Sequence, residues 1–553
     1  MKSCTKYFII VVIWYSIFSI NTLSANNFYI SPSGSNTTGN GSIGSPWQTI
    51  EFAIENVNPG DALYLREGVY NEQLISVRSG TANAYITISN YNNENVYIDG
   101  TGVDGRNGLI IDHSFIKFSG FTVRNWEDVG IWLRNCQFNE LLNLKITAVS
   151  GCIALTGTVH DFIVDSCVLY DYYGGAGGSG FDATPYGTDS IYNGVIRNSK
   201  AYLTTGAFDN CDGFALGHEG ISRIHFYNCE VYGVGDGFDI SGKDILLERC
   251  SSHNCNYGGG YKLWRESVTL INCIGYDNST NVELDFDFPT QKGVKARLIN
   301  CTFFGCRNSN VWIENSAGGS TLELFNCILA GGENTSLNFD GENLSLYKGD
   351  YNLFHTYNAP RMVSTSLLDF SLDQVQNGEW TTASGQDAHS QVVVNSNTIF
   401  MDTLGIKPDL HLKVGSLAIN NGTNLPDAPS FDFDNCPRNV RPIDIGAHEF
   451  GACGSSGISQ DEFGNSDSYR LNQNYPNPFN KNTIINYQVP VTCHVTLKVY
   501  DMLGQEIVTL MNGVLNAGSY DAAFDATGLP EGVYFFSLQS GKCNVTKKLI
   551  LTK

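Results

Sequence analysis

The chain has 553 residues, more than one compact core usually holds, so more than one structural unit is expected. Only 16% of the residues are charged, while 58 glycines and 12% aromatic residues favour strands and tight turns over long helices. The net charge of −22 disfavours nucleic acid and anionic membranes as partners. A polyanionic substrate would need a metal ion or clustered Lys and Arg to bind.

Residues 1–25 have the features of a secretory signal peptide. Lys2 and Lys6 supply the positive start, and the apolar run at 8–18 is too short to span a bilayer. Ala25 offers a small residue for cleavage, and no Cys follows it, which argues against a lipoprotein anchor. No later segment is long and apolar enough for a membrane span. We therefore expect an exported chain.

A short helix is predicted near the start of the mature chain. Ser45 and Pro46 suit its N-cap and first position, and Pro59-Gly60 ends it. Strands begin at Leu63. The helix would cover the open end of this strand region, because its apolar residues share one face. These residues are Trp47, Ile50, Ile54 and Val57.

The middle of the chain repeats an Asn-Cys pair, or a close variant, at separations of 21 to 32 residues. A short alternating apolar stretch precedes most copies. This period, with Gly and Asn turns and no helical pattern, predicts an all-β solenoid, a right-handed parallel β-helix with about three short strands per coil. The copies are Ser166-Cys167, Asn198-Ser199, Asn228-Cys229, Arg249-Cys250, Asn272-Cys273, Asn300-Cys301 and Asn326-Cys327.

The 16 cysteines of an exported chain would ordinarily suggest disulfides. One Cys at the same position of successive coils favours a different arrangement, an internal stack of small buried thiols. The coil spacing of about 4.8 Å suits disulfide bridges only marginally. We expect the stack.

The β-helix is expected to occupy residues 26–451, with residues 432–447 resembling the closing segment of bacterial β-helix proteins. Residues 452–468 are polar and rich in Gly and Ser, as a linker would be. Beyond the linker, period-2 alternation predicts a small antiparallel β-sandwich over 469–553. The clearest alternation is at Val495, Leu497 and Val499.

Residues 469–553 resemble the C-terminal sorting domain of type IX secretion substrates. The resemblance implies the type IX machinery as a partner and export across an outer membrane, to a secreted or cell-surface location. It rests on the stretch 474–480, which reads NYPNPFN, on Val499-Tyr500-Asp501, on Gly532-Val533-Tyr534 and on Lys547-Lys548-Leu549.

Three consecutive coils align without gaps over four residues, and a fourth is expected to continue them. The aligned segments put one large apolar residue of each coil in a single inward column. The segments are 212–215, 236–239, 259–262 and 282–285, and the column is Phe214, Phe238, Tyr261 and Leu284.

The polar columns beside these residues predict a metal site. Asp212, Asp236 and Asp239 would stack about 5 Å apart and repel one another unless a cation lies among them. Calcium prefers such oxygen ligands, and Asp209 or a nearby carbonyl is expected to add to its shell. His and Cys at metal-ligand spacing are absent from this stretch, which argues against zinc there.

Lys262 is expected beside Asp239, with Asp285 on its far side. A neighbouring cation and partial burial would lower the pKa of Lys262 and make its neutral form available as a base, whereas the carboxylates act in the opposite direction. The alternative is structural: Lys262 bridges the two acids as an exposed charge ladder, and the aspartates cap turns. The residue pattern alone leaves both open.

The stretch 212–262 resembles the active-site region of polysaccharide lyase family 9, the β-helix pectate lyases. The similar motifs are 210–215 (NCDGFA), 235–239 (GDGFD) and 258–263 (GGGYKL), and the starts at 28–34 and 46–50 are also similar. The resemblance implies a lyase that cleaves an acidic uronate polymer, pectate or polygalacturonate, by β-elimination. It implies Ca²⁺ on Asp212, Asp236 and Asp239, with Lys262 as the base. Gly235 stands where the family has a further carboxylate.

Arg265 and Lys243 are the candidates for holding other substrate carboxylates, with solvation at the surface as the alternative role for each. We expect the chain to act as a monomer. Two rival functions stay open: a non-catalytic carbohydrate-binding protein, and a glycoside hydrolase, which needs two carboxylates flanking the bond. Those carboxylates would come from Asp236, Asp239, Asp285 or Glu314.

Overall fold

The structure is a computed structural model. It describes residues 25–173, 178–205, 211–287, 292–314, 319–341, 343–357, 361–404, 407–438, 442–451, 470–471, 474, 479–489, 493–501, 505–516, 518–540 and 543–552. The predicted signal peptide, apart from Ala25, and the predicted linker 452–468 lie outside these residues. The described chain divides into two units, 1–453 and 454–553. The three boundaries between the four predicted segments stay predictions.

The first unit is a parallel β-solenoid of about 11 turns, as the repeats predicted. Its coils place strands on three faces, and each strand pairs in parallel with the equivalent strand of the next coil. The first face contains Leu74–Ile75, Leu109–Ile111, Val129–Arg134, Gly151–Thr156, Ser179–Thr184, Asp212–Leu216, Thr280–Leu284, Ser309–Glu314, Thr335–Asp340 and Val363–Ser364, which Asp369–Phe370 joins antiparallel.

The second face contains Asn27–Ile30, Ala62–Leu65, Ile86–Asn90, Ile116–Ser119, Glu140–Leu142, Val159–His160, Ile163–Asp165, Ile191–Arg197, Ile221–Tyr227, Lys292–Ile299, Thr321–Phe325 and Tyr347–Asp350, with Phe286–Asp287 antiparallel to Lys292–Ile299. The third contains Gly68–Tyr70, Val96–Asp99, Thr122–Arg124, Lys145–Thr147, Val168–Tyr170, Lys200–Tyr202, Glu230–Tyr232, Ser251–His253, Ile274–Tyr276, Thr302–Cys306, Ile328–Gly332, Leu353–Thr356 and Gln391–Val392.

Two strands of 13 residues, Asp236–Glu248 and Gly259–Ile271, run from the first face onto the second. Their pairing shifts register on either side of Gly242, whose φ of +136° is a conformation that suits glycine. The bend therefore joins the two faces into one sheet at the middle of the solenoid.

Inward residues stack from coil to coil. The rings of Phe214, Phe238 and Tyr261 lie parallel with centroids 5.3 and 5.1 Å apart, as the sequence predicted for these three. The cysteines of the repeat are buried, free thiols, and this confirms the stack. Among the described cysteines Cys436 differs, because it is disulfide-bonded.

The asparagine that precedes each repeat cysteine turns the chain. Asn228, Asn272, Asn300 and Asn326 all have φ between 51° and 54°, the left-handed region that Asn tolerates better than most residues. The Asn326 amide also donates to the Asn300 side-chain oxygen at 3.3 Å, so the turns form a ladder. This is why Asn and Cys recur as a pair.

The helix near the N-terminus is present as Ile50–Asn56, but its predicted N-cap is wrong. Thr49 is the cap and accepts from the Phe52 N–H, while the Glu72 carboxylate accepts from the first two helical N–H groups. Trp47 instead forms a parallel β-bridge with Ile30. Its N–H donates to the Tyr29 carbonyl, and its carbonyl accepts from the Ser31 N–H.

The other end of the solenoid is covered by two short helices, Leu372–Gln376 and Glu379–Ser384. Trp380 is fully buried there against the rings of Phe339 and Tyr347. Two 3₁₀ turns, Leu344–Leu346 and Ser396–Thr398, and the antiparallel pair Phe400–Asp402 and Asp409–Leu412 complete the unit.

The predicted closing segment, residues 432–447, lies along the side of the solenoid. Ile445 and Ala447 are fully buried against apolar residues of the third face. The amide of Asn300 donates to the carbonyls of Asp444 and Gly446, and the amide of Asn272 donates to the carbonyl of Phe431. The turn ladder thus holds this segment.

The second unit has two antiparallel sheets around its own core, as predicted. Val495, Leu497 and Val499 are fully buried in that core. One sheet contains Arg470–Leu471, Asn482–Val489 and Gly518–Asp525; the other contains Cys493–Tyr500, Glu506–Leu515, Gly532–Ser540 and Cys543–Leu551. No helix among the described residues is both long enough and apolar enough to span a bilayer.

The thiol stack should resist modification in the folded chain, because burial raises the pKa of thiols such as Cys250 and leaves little thiolate. We expect peptide mapping after alkylation to find the eleven buried thiols unmodified under native conditions and fully modified in denaturant without reductant. Native modification, or modification that requires reductant, would contradict the stack. The eleven are Cys136, Cys152, Cys167, Cys211, Cys229, Cys250, Cys255, Cys273, Cys301, Cys306 and Cys327.

Candidate functional site

Three carboxylates meet on the first face, and we call them the acidic cluster: Asp212, Asp236 and Asp239. Adjacent strands bring them together, since Asp212 pairs with Asp236 and Ala215 pairs with Asp239. One oxygen from each lies within 4.8 Å of the other two. Asp212 and Asp236 are buried and Asp239 is half-buried. The structure therefore assembles the three aspartates that the sequence singled out.

The backbone of the next coil holds Asp236. The N–H groups of Gly258 and Gly259 donate to its Oδ1 at 2.9 and 3.1 Å. A Cβ at Gly258 would clash with that same oxygen, so the close approach requires glycine. The other oxygen, Asp236 Oδ2, and Asp212 Oδ1 are buried without a hydrogen-bond partner among the described residues. Burial of such oxygens is unfavourable unless another group satisfies them.

The charges of the acidic cluster oppose one another. Burial, and then the charges of Asp239 and Asp236, raise the pKa of Asp212 to about 8. Burial likewise raises the pKa of Asp239 to about 7, against the opposing effect of Lys262. A divalent cation would relieve this repulsion and satisfy the two orphaned oxygens. An all-oxygen donor set is the kind that calcium prefers, so the cluster fits this ion.

The amine of Lys262 lies next to the acidic cluster. Its Nζ is 3.6 Å from Asp236 Oδ2 and 3.8 Å from Asp285 Oδ2, and its side chain is 24% exposed. Burial lowers the pKa of Lys262, but Asp239, Asp236 and Asp285 outweigh burial and raise the pKa above its ordinary value. Solvent and a bound molecule can therefore reach an amine that three acids surround.

The predicted register of the fourth coil is wrong by two residues. Tyr261 pairs with Val282, so Glu283 stands beside Lys262 and Leu284 pairs with Leu263. Val282 follows Cys273 by nine positions, whereas Tyr261 follows Cys250 by eleven. The connection before the strand Thr280–Leu284 is therefore two residues shorter. A slip of two keeps the alternation of inward and outward residues, and the apolar pattern could not reveal it.

Glu283, Asp285 and Glu314 form a second group of acids on the other side of Lys262, with one oxygen of each within 4.8 Å of the others. Burial raises the pKa of Glu283 to about 7, and burial and then Asp285 raise that of Glu314 to about 7. Sequence reasoning missed Glu283. The signal for it was Asn281-Val282, which repeats as Asn310-Val311 and aligns the two coils through an amide hydrogen bond of 2.8 Å.

The remaining predicted site residues are Arg265, Lys243 and Asp209. Arg265 follows Lys262 by three residues, and its guanidinium stacks on the Trp264 ring at 4.6 Å, while the Trp264 indole donates to Asp239. Lys243 is exposed, beyond the bend, where its strand pairs with Ser222. Asp209 lies outside the described residues. The roles of these residues stay predictions.

An outward column passes through the site along the solenoid axis. It spans eight coils, a distance of roughly 34 Å at about 4.8 Å per coil. Ala215 stands between Asp182 and Asp239, and Ala154 stands between Asp182 and Trp132. In order, the column is Trp132, Ala154, Asp182, Ala215, Asp239, Lys262, Glu283 and Trp312. An extended polymer lying along the axis would meet all of them.

Comparisons with known proteins agree with this architecture. Residues 28–281 match a family model described as "Pel9A-like, right handed beta helix region", and residues 473–552 match a "Secretion system C-terminal sorting domain". "Pectate lyase PEL9" of Emericella nidulans is 36% identical over 83 residues, which is 15% of this chain and 20% of that protein. "Uncharacterized protein YwoF" of Bacillus subtilis is 36% identical over 107 residues, 18% of this chain and 23% of that protein.

The chain thus spans less than a quarter of the length of either curated relative. Among solved structures, the crystal structure of pectate lyase Pel9A superposes with a TM-score of 0.46 at 15% identity, over 77% of this chain and 97% of that chain. The sorting domain directs export to a secreted or cell-surface location. Residues 28–281 are thus similar to the Pel9A-like right-handed β-helix family, and residues 473–552 carry a type IX secretion sorting domain.

Proposed function

We propose that this chain is a secreted polysaccharide lyase that cleaves a uronate polymer, pectate or polygalacturonate, by calcium-assisted β-elimination. The observation that carries the proposal is the position of Lys262, an accessible amine between the acidic cluster and the acids of the next coils. The match of residues 28–281 to the Pel9A-like family model and the local identity to a pectate lyase support it. Residues 26–451 would act as the catalytic unit of a monomer, with 452–468 as linker and 469–553 as sorting domain.

The acidic charge of the chain means that an acidic substrate needs local positive charge in order to bind. A net charge of −22 repels a uronate polymer, so local positive charge has to compensate. Asp212, Asp236 and Asp239 would hold a calcium ion that draws a substrate carboxylate to the column. Arg265 and Lys243 would hold carboxylates of neighbouring sugars. The polymer would lie along the column of the first face.

Bound calcium would supply positive charge next to the sugar carboxylate, where negative charge develops during proton removal. Lys262, in its neutral form, accepts the hydrogen of C5 on Nζ. The electron pair of that C–H bond forms the double bond between C4 and C5. The C4–O bond then breaks, and its electron pair leaves with the departing sugar oxygen, which takes up a proton. The product carries a 4,5-unsaturated sugar.

The first test is cleavage of polygalacturonate by the purified chain, with pectin and alginate as parallel substrates. We expect an ultraviolet-absorbing unsaturated product that requires Ca²⁺ and is abolished by chelator. New reducing ends without ultraviolet absorbance would indicate hydrolysis instead. Retained polymer binding without cleavage under any metal condition would indicate a binding protein. Either result would overturn the lyase proposal.

Replacement of Lys262 tests the base. Lys262→Arg keeps the positive charge near Asp236 and Asp285 but holds its proton too tightly to act as a base, so we expect kcat to fall by roughly 10²–10⁴-fold. Lys295→Arg, at an exposed position of the second face, is the matched control and should leave kcat unchanged. Undiminished product formation by Lys262→Arg would exclude the assigned base.

The pH profile tests whether the neutral form of Lys262 is the active one. A lysine must lose its proton before it can act as a base, and the neighbouring carboxylates favour the protonated form. Below its pKa the neutral fraction grows about tenfold per pH unit. We expect log kcat/KM to increase with pH, with a slope near one at pH values below the pKa of Lys262, measured at saturating Ca²⁺. A flat profile, or one that falls with rising pH, would contradict this role.

The raised pKa of Asp212 predicts how stability depends on pH and calcium. Its raised pKa means that its contribution to folding is fully present below the unfolded pKa near 3.8 and is lost as the pH rises through about 8. In chelator, Asp212→Asn should therefore have a higher Tm than the wild type at pH 8 and lose this advantage toward pH 4. Added Ca²⁺ should raise the Tm of the wild type alone. Equal responses of the two proteins to Ca²⁺ would exclude Asp212 as a ligand.

A further inference from the structure

A cluster of two histidines and one aspartate lies outside the acidic cluster, in the segment that follows the solenoid strands. His411 belongs to the strand Asp409–Leu412, Asp434 to the loop after Phe433, and His448 to the stretch 442–451. One nitrogen or oxygen of each lies within 4.8 Å of the other two. Three separate stretches of chain therefore direct metal-ligand atoms to one place.

The distances suit a small, tetrahedral metal ion. Asp434 Oδ2 lies 2.7 Å from His411 Nε2 and 3.4 Å from His448 Nε2, and the two rings lie 4.2 Å apart. Ligands at about 2.0–2.1 Å from a tetrahedral zinc ion are themselves about 3.3 Å apart. Small shifts of these side chains would therefore place all three atoms around one ion.

The surroundings of each histidine favour a ligand role. Asp409 lies 2.5 Å from His411 Nδ1, the ring nitrogen that points away from Asp434, and a carboxylate there orients the ring as in many zinc sites. His448 is only 5% exposed, and its Nε2 lies 3.4 Å from Asp434 Oδ2. Together Asp434 and Asp409 balance the two charges of a divalent ion.

We propose that His411, Asp434 and His448 bind a zinc-class divalent ion that holds together three stretches of the chain that follows the solenoid strands. Nitrogen ligands select zinc over calcium. Water would complete the coordination at the exposed edge of His411, whose side chain is 48% exposed. Arg249 donates to the Phe433 carbonyl, so the loop that holds Asp434 is also fixed to the solenoid. The site is independent of the proposed lyase chemistry.

The test measures zinc bound to the full chain without an affinity tag, after chelator treatment, exposure to Zn²⁺ and dialysis. We expect about one equivalent in the wild type and in Asp236→Asn, which changes the acidic cluster alone. His411→Gln and Asp434→Asn should lose that equivalent. His389→Gln is the matched control, because His389 makes the same kind of pair with Asp350, at 2.7 Å, and should retain zinc. Absence of zinc from the wild type, or its retention by His411→Gln, would overturn the site.

His411 is half exposed, so its replacement leaves the core intact and separates metal loss from unfolding. Zn²⁺ should raise the Tm of the wild type and of His389→Gln, and leave that of His411→Gln unchanged. Substitution with Co²⁺ should give the intense visible absorption of a four-coordinate ion. A weak, six-coordinate spectrum, or equal Tm shifts in all variants, would show surface binding only and would reject the metal site.

Discussion

The stacking of inward side chains from coil to coil determines where every functional group stands. The rings of Phe214, Phe238 and Tyr261 lie face to face, and each fixes the register of its strand. Asp239 and Lys262 follow these rings in sequence and point outward. The pairing of Phe238 with Tyr261 therefore also places Asp239 beside Lys262. A slip by one residue would turn the polar groups into the core, so the apolar stack maintains the site.

The site itself works against folding stability. Two buried oxygens, on Asp212 and Asp236, lack hydrogen bonds to described groups, and burial raises the pKa of Asp212 and Asp239. A surface under no functional demand would separate these acids or pair each with a base. Instead, Lys262 is shared among several of them. Strain of this kind is typical of functional sites that a ligand completes.

Much of the fold and the position of the site could be predicted from the sequence, and the errors have local causes. The Asn-Cys repeat and the aromatic column gave the correct coils because a solenoid repeats its contacts. Glu283 was missed because the length of one turn changed by two residues, which the alternation of apolar residues does not record. The N-cap was misplaced because Trp47 pairs with Ile30, which lies 17 residues before it, and the helix therefore starts after Thr49. The histidine cluster was missed because its members are distant in sequence.

The ladder of turn asparagines has a consequence for how the chain matures. Asn272, Asn300 and Asn326 donate to carbonyls that follow them by 159, 144 and 97 residues. These hydrogen bonds to Thr423, Phe431 and Asp444 can form only where the coils that carry the three asparagines are in place. Without the closing segment, Ile328 and Phe304 would be uncovered. A chain that lacked this contact would expose an apolar surface that favours association with other molecules. The closing segment is therefore held only by a solenoid whose coils in this region are formed.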